Sequence, residues 1–332
     1  MALREDLPRI ERHAPLPGSN GMSRARPANL AASVRQRLLN LSVTQREDPN
    51  LTLTRYALER LLYRLAESEY AGQFILKGAM LFALWTKSAH RPTRDLDLLC
   101  FGEASGERLT AVFQDLCHVE VEPDGLEFDP DSIRIAEIRE GQSYQGQRVK
   151  MNARLGNANI PVQVDIGFGD VVTPAAQAID YPTLLDLPAP KIRAYPRETV
   201  VAEKLQALVD LGMQNSRMKD FYDLWSIARQ FSFEGPKMVA AVLATFERRA
   251  TTLPKTVPTG LSEEFATDEQ KNKQWRAFLE RTQLPERELS LLQVVDDLRS
   301  FLLPALLAAE KGEDFRDSWV GGAWTGRSTG AA

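Results

Sequence analysis

Hydrophobic residues recur every three or four positions near the beginning of the chain and again over its second half. Residues 29–42 and 53–68 follow this spacing and predict two helices, with Thr54 as the expected N-cap of the second. From residue 198 to residue 307 the helical spacing is almost continuous. The pattern predicts helices on both sides of a central region.

The central region begins with a strand, a glycine and a helix. Residues 74–76 are an apolar run short enough for a buried strand, and Gly78 ends it before residues 80–85 return to helical spacing. Further on, residues 106–117 again have helical spacing. This order is typical of a sheet with helices packed against it.

Four further strands are expected in this region. Residues 95–101 alternate so that two aspartates and a leucine share one face. Residues 133–139 and 147–154 alternate as an antiparallel pair around a turn-rich connection, and residues 160–170 add a Val/Ile-rich strand. We therefore predict an α+β fold with a mixed or antiparallel sheet, followed by a helical domain.

The expected elements divide the chain into four parts. A Pro-rich stretch over residues 181–196 is expected to connect the sheet to the helices. The predicted parts are a flexible N-terminal arm (1–22), an α/β domain with N-terminal helices (23–185), a helical domain (186–308) and a disordered tail (309–332).

The composition narrows the class of protein. Of 332 residues, 43% are hydrophobic and 26% are charged, as in ordinary globular proteins. The two cysteines, Cys100 and Cys117, form no CxxC motif, and no apolar run approaches the roughly 18 residues of a membrane span. We expect a soluble cytoplasmic protein without a disulfide framework, a zinc site or a membrane partner.

Charge is distributed unevenly along the chain. Residues 1–65 contain 11 Arg against 6 acidic residues, whereas residues 95–140 contain 13 acidic residues against 3 Arg. Residues 189–250 are basic again, with 10 basic and 7 acidic residues. Either the acidic centre holds a divalent metal while basic helices at 23–64 and 191–249 meet a polyanion, or these are solvated surfaces.

Asp95 and Asp97 are the clearest candidates for chemistry. Residues two apart in a strand point the same way, so their carboxylates repel each other unless a cation lies between them. Asp165 is a third acid, in the Val/Ile-rich strand. If the two strands are neighbours, the three carboxylates form a magnesium site; otherwise they face water.

Two other features suggest phosphate recognition, and a third places acids near them. Gly78 stands where a strand enters a helix, at which backbone N–H groups bind phosphate oxygens; a tight turn alone is the other explanation. Lys204 lies in an apolar helical stripe, where it must reach water or meet an anion. Asp220 and Asp223 lie on a half-apolar face, where they pair with Lys204, Arg94 or Arg217, or accept a proton.

Five motifs in order resemble those of a known family. They are "FILKGAMLFALW", "RPTRDLDLL", "VQVDIGFGD", "ETVVAEKLQALV" and "RMKDFYDLW", and the resemblance runs from about Gln73 to Arg229. The set resembles the AbiEii/AbiGii-type nucleotidyltransferase toxins of the DNA polymerase β-like nucleotidyltransferase superfamily. The chain departs from the superfamily after Gly78, where Ala79 replaces the usual Ser or Gly.

The resemblance implies an enzyme that moves a nucleoside monophosphate from an NTP to an acceptor and releases pyrophosphate. It implies two Mg²⁺ ions, an RNA acceptor such as the tRNA acceptor end, and a toxin of a toxin–antitoxin or abortive-infection system that a separate antitoxin protein neutralises. A catalytically silent NTP-binding module and a small-molecule phosphotransferase are the alternatives.

The resemblance also assigns residues to roles. The metal ligands are Asp95, Asp97 and Asp165, the last of which completes the site or activates the acceptor hydroxyl. The catalytic set is Asp95, Asp97, Asp165, Lys204 and Asp220, and the nucleotide-binding set is Lys77, Gly78, Arg94, Lys204 and Asp223.

Overall fold

Within the part of the chain that the structure describes, residues 30–194 contain four α-helices and seven strands. The computed structural model describes residues 29–86, 91–140, 144–282, 284 and 286–326. The predicted arm at residues 1–22 lies outside these residues. The elements are α1 (Leu30–Gln45), α2 (Pro49–Glu67), β1 (Phe74–Lys77), α3 (Leu81–Trp85), β2 (Asp95–Cys100), α4 (Gly106–His118), β3 (Leu126–Glu140), β4 (Tyr144–Leu155), β5 (Ala158–Phe168), β6 (Gln177–Asp180) and β7 (Lys191–Ala194).

The second half is mainly helical. Its described elements are α5 (Arg197–Leu211), α6 (Met218–Gln230), β8 (Phe233–Glu234), α7 (Gly235–Arg248), α8 (Glu263–Thr267), α9 (Glu269–Thr282), α10 (Leu291–Lys311), β9 (Ser318–Val320) and β10 (Ala323–Thr325). No described helix combines the length and apolar composition needed to cross a membrane.

Helix α2 begins earlier than its spacing suggests. Asp48 is the N-cap, and its carboxylate accepts hydrogen bonds from the backbone N–H groups of Asn50 and Leu51. Pro49 occupies the first helical position, where its missing N–H costs nothing. The prediction of Thr54 as the N-cap is wrong, because this stronger start signal lies six residues before it.

The strands form one mixed sheet in the order β3-β4-β5-β2-β1-β7-β6. Strand β2 is parallel to β5 and β1 is parallel to β7, whereas the other neighbours are antiparallel. Helices α1, α2 and α4 pack against one face of the sheet, where alternate residues of β4 such as Val149 and Met151 are buried. The predicted fold class, a mixed sheet followed by helices, is confirmed.

Two segments are more ordered than predicted. The Pro-rich connector contains β7, whose Ile192 and Ala194 are buried between β1 and β6. The part of the tail that the structure describes, up to residue 326, was predicted to be disordered but instead continues α10 to Lys311 and forms the hairpin β9–β10 beside β8. Trp319 explains this: its ring packs 4.8 Å from that of Phe301, and its Nε1 donates to the Ala228 carbonyl at 2.6 Å. Residues 327–332 of the predicted tail lie outside the described residues.

Candidate functional site

Three carboxylates from neighbouring strands meet at one point on the sheet. Asp97 on β2 lies directly opposite Asp165 on β5, and Asp95 precedes Asp97 by two residues on the same face. One oxygen of each carboxylate lies within 4.8 Å of the others. The structure therefore brings together the three acids that the sequence singles out, which we call the acidic triad.

The electrostatics of the acidic triad suit a cation. Burial, and next the charge of Asp95, raise the pKa of Asp97 to about 6, although Lys219 and Lys77 oppose the rise. A carboxylate so disfavoured in its charged form gains stability from a bound positive ion. Since Mg²⁺ prefers oxygen ligands and is commonly held by a few carboxylates with substrate phosphates, the donor set fits this ion.

Gly78 makes room for Asp97. Its φ is +73°, in the left-handed region, and a Cβ at this position would collide with the Asp97 carboxylate. Lys77, the residue before it, is directly opposite Asp97 in the sheet. A short 3₁₀ turn, Gly78–Met80, then leads into α3. Glycine is therefore required here by the close approach of an acidic side chain as well as by the turn.

Arg148 neutralises one member of the acidic triad. It lies opposite Asp165 on β4, and its Nε and Nη2 donate to the two carboxylate oxygens at 2.7 and 2.6 Å. This bidentate pair fixes the orientation of Asp165. The sequence analysis did not identify Arg148, because only the β4–β5 register reveals that the two residues are neighbours.

A cleft of about 450 Å³ opens beside Asp95 and Asp97. Three exposed cations from separate elements line it: Arg94 before β2, Lys219 on α6 and Arg281 on α9. The sequence predicted Arg94 as a nucleotide-binding residue. It gave no assignment to Lys219, although this residue stands in a quoted motif, and no signal at all for Arg281.

Lys77 points to a second group of charges. Its Nζ lies 3.1 Å from an Asp170 oxygen and 3.6 Å from a Glu203 oxygen, and Arg249 pairs with the same two acids. Its charge still acts on Asp97. The assignment of Lys77 to nucleotide binding stays a prediction, with the ammonium held by these carboxylates in the structure.

The remaining predicted residues form a buried ion cluster, which we define as Arg91, Lys204, Arg217, Asp220 and Asp223. Lys204 Nζ lies 2.5 Å from Asp220 and 3.0 Å from Asp223. Arg91 donates two hydrogen bonds to Asp223, at 2.7 and 2.9 Å, and Arg217 Nε lies 2.7 Å from Asp220. Of the pairings that the sequence left open, those of both acids with Lys204 and that of Asp220 with Arg217 occur. The arginine that pairs with Asp223 in the structure is Arg91, where the sequence suggested Arg94.

The charges of this cluster stabilise one another. Burial favours the neutral forms, but Asp220 and Asp223 outweigh it and raise the pKa of Lys204. Burial likewise opposes ionisation of Asp220, yet Lys204 and Arg217 lower its pKa. Because Arg91 shortly precedes β2, the cluster ties α5 and α6 to the strand that carries Asp95 and Asp97. Catalytic roles for Lys204, Asp220 and Asp223 stay predictions.

Comparison with known proteins identifies a family. Residues 60–302 match the family model described as "Nucleotidyl transferase AbiEii toxin, Type IV TA system". Among solved structures, a crystal structure from H. pylori named as a candidate nucleotidyltransferase is 16% identical, covering 79% of this chain and 97% of its own, with a TM-score of 0.46. The Helicobacter pylori protein JHP933 is also 16% identical, covering 77% and 92%, with a TM-score of 0.44. No curated protein matches the chain.

Proposed function

The chain belongs to the AbiEii nucleotidyltransferase toxin family of type IV toxin–antitoxin systems, and we propose that it transfers a nucleoside monophosphate from an NTP to RNA with the help of Mg²⁺. Membership in the family indicates that the protein is an enzyme of the nucleotidyltransferase class. It also indicates that the protein is the toxin of a toxin–antitoxin pair, whose antitoxin is a separate protein. The acceptor we propose is the acceptor end of tRNA.

The acidic triad is the observation that carries this proposal. Asp95, Asp97 and Asp165 would hold Mg²⁺, because their oxygens converge within 4.8 Å and Asp97 is poorly stabilised in its charged form. When bound, the metal would supply charge stabilisation for phosphoryl displacement. Arg148 keeps Asp165 oriented towards the other two acids.

The cleft beside the acidic triad suits a triphosphate. Arg94, Lys219 and Arg281 would bind the phosphate oxygens, and their origin in three elements would hold the substrate between the sheet and the helices. Gly78, which has no Cβ, lets the Asp97 carboxylate lie directly against the backbone at the start of the 3₁₀ turn. The buried ion cluster would fix α6, and with it Lys219, against β2.

The reaction proposed is attack of an RNA hydroxyl on the α-phosphate. A bond forms between the hydroxyl oxygen and the α-phosphorus, the bond to the bridging oxygen of the β-phosphate breaks, and pyrophosphate leaves. Arg94, Lys219 and Arg281 would stabilise the negative charge that grows on the leaving group. The proton of the hydroxyl passes to solvent or to a carboxylate of the acidic triad.

Labelled nucleotides test this proposal. The purified protein is incubated with Mg²⁺, total RNA and each of the four NTPs, labelled with ³²P at the α- or the γ-phosphate, and the products are separated on a denaturing gel. The proposal predicts α-label in an RNA band of tRNA size and γ-label in pyrophosphate. Transfer of the γ-label to a small molecule indicates a kinase, α-label on protein indicates another acceptor, and nucleotide binding without transfer indicates a silent module; each contradicts the proposal.

A further inference from the structure

The face of the sheet that carries the acidic triad is open where it extends over β4 and β3. The helices α1, α2 and α4 pack against the opposite face, so alternate residues of β4 face solvent. Three of these outward residues are basic: Arg148, Lys150 and Arg154. With Arg134 on β3, they form what we call the basic sheet face.

Two cations of this face are direct cross-strand neighbours. Arg134 lies opposite Lys150, and both side chains are exposed. Like charges at directly opposite positions destabilise a sheet. Arg134 donates only to backbone carbonyls, those of Asp131 and Ile133, in the hydrogen bonds described for it. An anion between Arg134 and Lys150 would remove this repulsion.

The basic sheet face leads directly into the acidic triad. Lys150 is opposite Gln163 on β5, and Gln163 is opposite Asp95 on β2 and lines the cleft. One step along β4, Arg148 is opposite Asp165. A chain lying on Arg134 and Lys150 would therefore present its end at the acidic triad.

The part of the basic sheet face that can attract phosphates is short. Arg154, at its far end, is opposite Glu127, whose charge offsets it. Arg134 and Lys150 lie directly opposite each other on neighbouring strands, which are about 4.8 Å apart, so this pair covers only one or two phosphates. The surface next to the acidic triad thus matches the last few nucleotides of one strand rather than a duplex.

We propose that the basic sheet face binds the single-stranded end of the acceptor RNA, with Arg134 and Lys150 contacting its terminal phosphates. The inference rests on the proposed function, and it places the acceptor on the sheet rather than on the basic helices that the charge distribution of the sequence favours. Phosphate contacts of this kind give affinity that is independent of sequence and sensitive to salt.

Two matched double variants test the location. Arg134→Gln with Lys150→Gln removes two charges from the basic sheet face, and Arg35→Gln with Arg37→Gln removes two exposed charges from α1, on the other side of the sheet. Binding of a short fluorescein-labelled single-stranded RNA is measured by anisotropy without NTP at several salt concentrations. Thermal unfolding is used to check that both variants are folded.

The proposal predicts that the sheet variant loses about tenfold in RNA affinity and that its salt slope falls by about 1.4, at about 0.7 per phosphate contact. The α1 variant should bind as the wild type does. Unchanged binding by the sheet variant, or an equal or larger loss in the α1 variant, would overturn it. If the wild type labels RNA but the sheet variant binds normally, only this inference fails; if the wild type labels no RNA, the proposed function fails whatever the binding shows.

Discussion

The acidic triad and the buried ion cluster contain similar residues but differ in how their charges are balanced. In the triad, Asp95 and Asp97 face an open cleft and only Asp165 has a bidentate cation partner. In the cluster, Asp220 and Asp223 are fully buried and are held by Lys204 and two arginines.

This difference indicates that the acidic triad binds a ligand and that the buried ion cluster holds the surrounding elements in place. Acids that repel each other beside a cleft are suited to a cation that arrives from solvent, whereas acids that already have buried partners have little capacity left for a ligand. We infer that the triad carries the chemistry and that the cluster maintains the geometry around it. Substitutions in the two groups should therefore have opposite consequences for activity and for stability.

Asp97→Asn should have the largest effect of all. Loss of one carboxylate from the acidic triad is expected to slow nucleotidyl transfer by about 10⁴-fold, equivalent to about 5 kcal/mol in the activation barrier. The fold should be at least as stable as the wild type at neutral pH, because a disfavoured charge is removed. Transfer rates and urea unfolding measured on the same preparation check both parts.

Asp220→Ala should break the buried ion cluster. It leaves Lys204 and Arg217 without this partner, and removing one member of a buried ion pair costs about 3–5 kcal/mol of unfolding free energy. Asp220→Asn, which keeps the shape, is the matched control and should cost less. A variant of native stability that has lost all activity would instead make Asp220 a reacting group.

Glu59→Gln tests a buried carboxylate outside both groups. Glu59 is 1% exposed on α2, and burial raises its pKa from 4.5 to about 7. Because the folded protein holds this proton more tightly than the unfolded chain, Glu59 contributes fully to the free energy of unfolding below pH 4.5. This contribution is lost as the pH rises through about 7. Relative to the wild type, Glu59→Gln should gain about 3 kcal/mol of stability between pH 4.5 and pH 8, at 1.36 kcal/mol per unit of pKa shift.

Denaturant unfolding of the wild type and Glu59→Gln across this pH range measures the difference. A constant offset between the two proteins would show that Glu59 does not titrate in this range in the folded state. Gln is the matched substitution because its side-chain oxygen can accept the same hydrogen bond from the Leu184 N–H, which is 2.7 Å long in the structure. The two proteins then differ at residue 59 only in the charge.

Lys219→Gln and Arg281→Gln should have the smallest effects. Each removes one exposed cation from the cleft and is expected to raise the KM for NTP about tenfold, or about 1.4 kcal/mol. Stability should change by less than about 0.5 kcal/mol, as for other surface substitutions. Arg276→Gln, an exposed position on α9 outside the cleft lining, is the matched control and should leave KM unchanged.

Local pattern identified the three acids of the triad, but their convergence depended on how the strands pair. The alternation of β2 and β5 indicated that Asp95, Asp97 and Asp165 lie on polar faces, and the parallel pairing of these strands makes them converge. Lys204 within an apolar stripe left two outcomes open, reaching water or meeting an anion, and the structure shows the second, with Asp220 and Asp223 as the anions.

The features that escaped prediction depend on contacts between distant segments. Arg148 meets Asp165 only through the register of β4 and β5, and Arg281 reaches the cleft only through the packing of the helical region. Strand β7 is short and flanked by prolines, so its pattern resembles a connector. The tail hairpin depends on Trp319, whose burial requires the surface that α10 provides.

Titration of Mn²⁺, a spectroscopic substitute for Mg²⁺, would show whether the acidic triad holds a metal ion. Free Mn²⁺ is followed by electron paramagnetic resonance in the presence of the wild type, Asp97→Asn and, as a control from the buried ion cluster, Asp220→Asn. We expect binding by the wild type, at least about tenfold weaker binding by Asp97→Asn and unchanged binding by folded Asp220→Asn. Equal Mn²⁺ affinity in the wild type and Asp97→Asn would contradict this expectation.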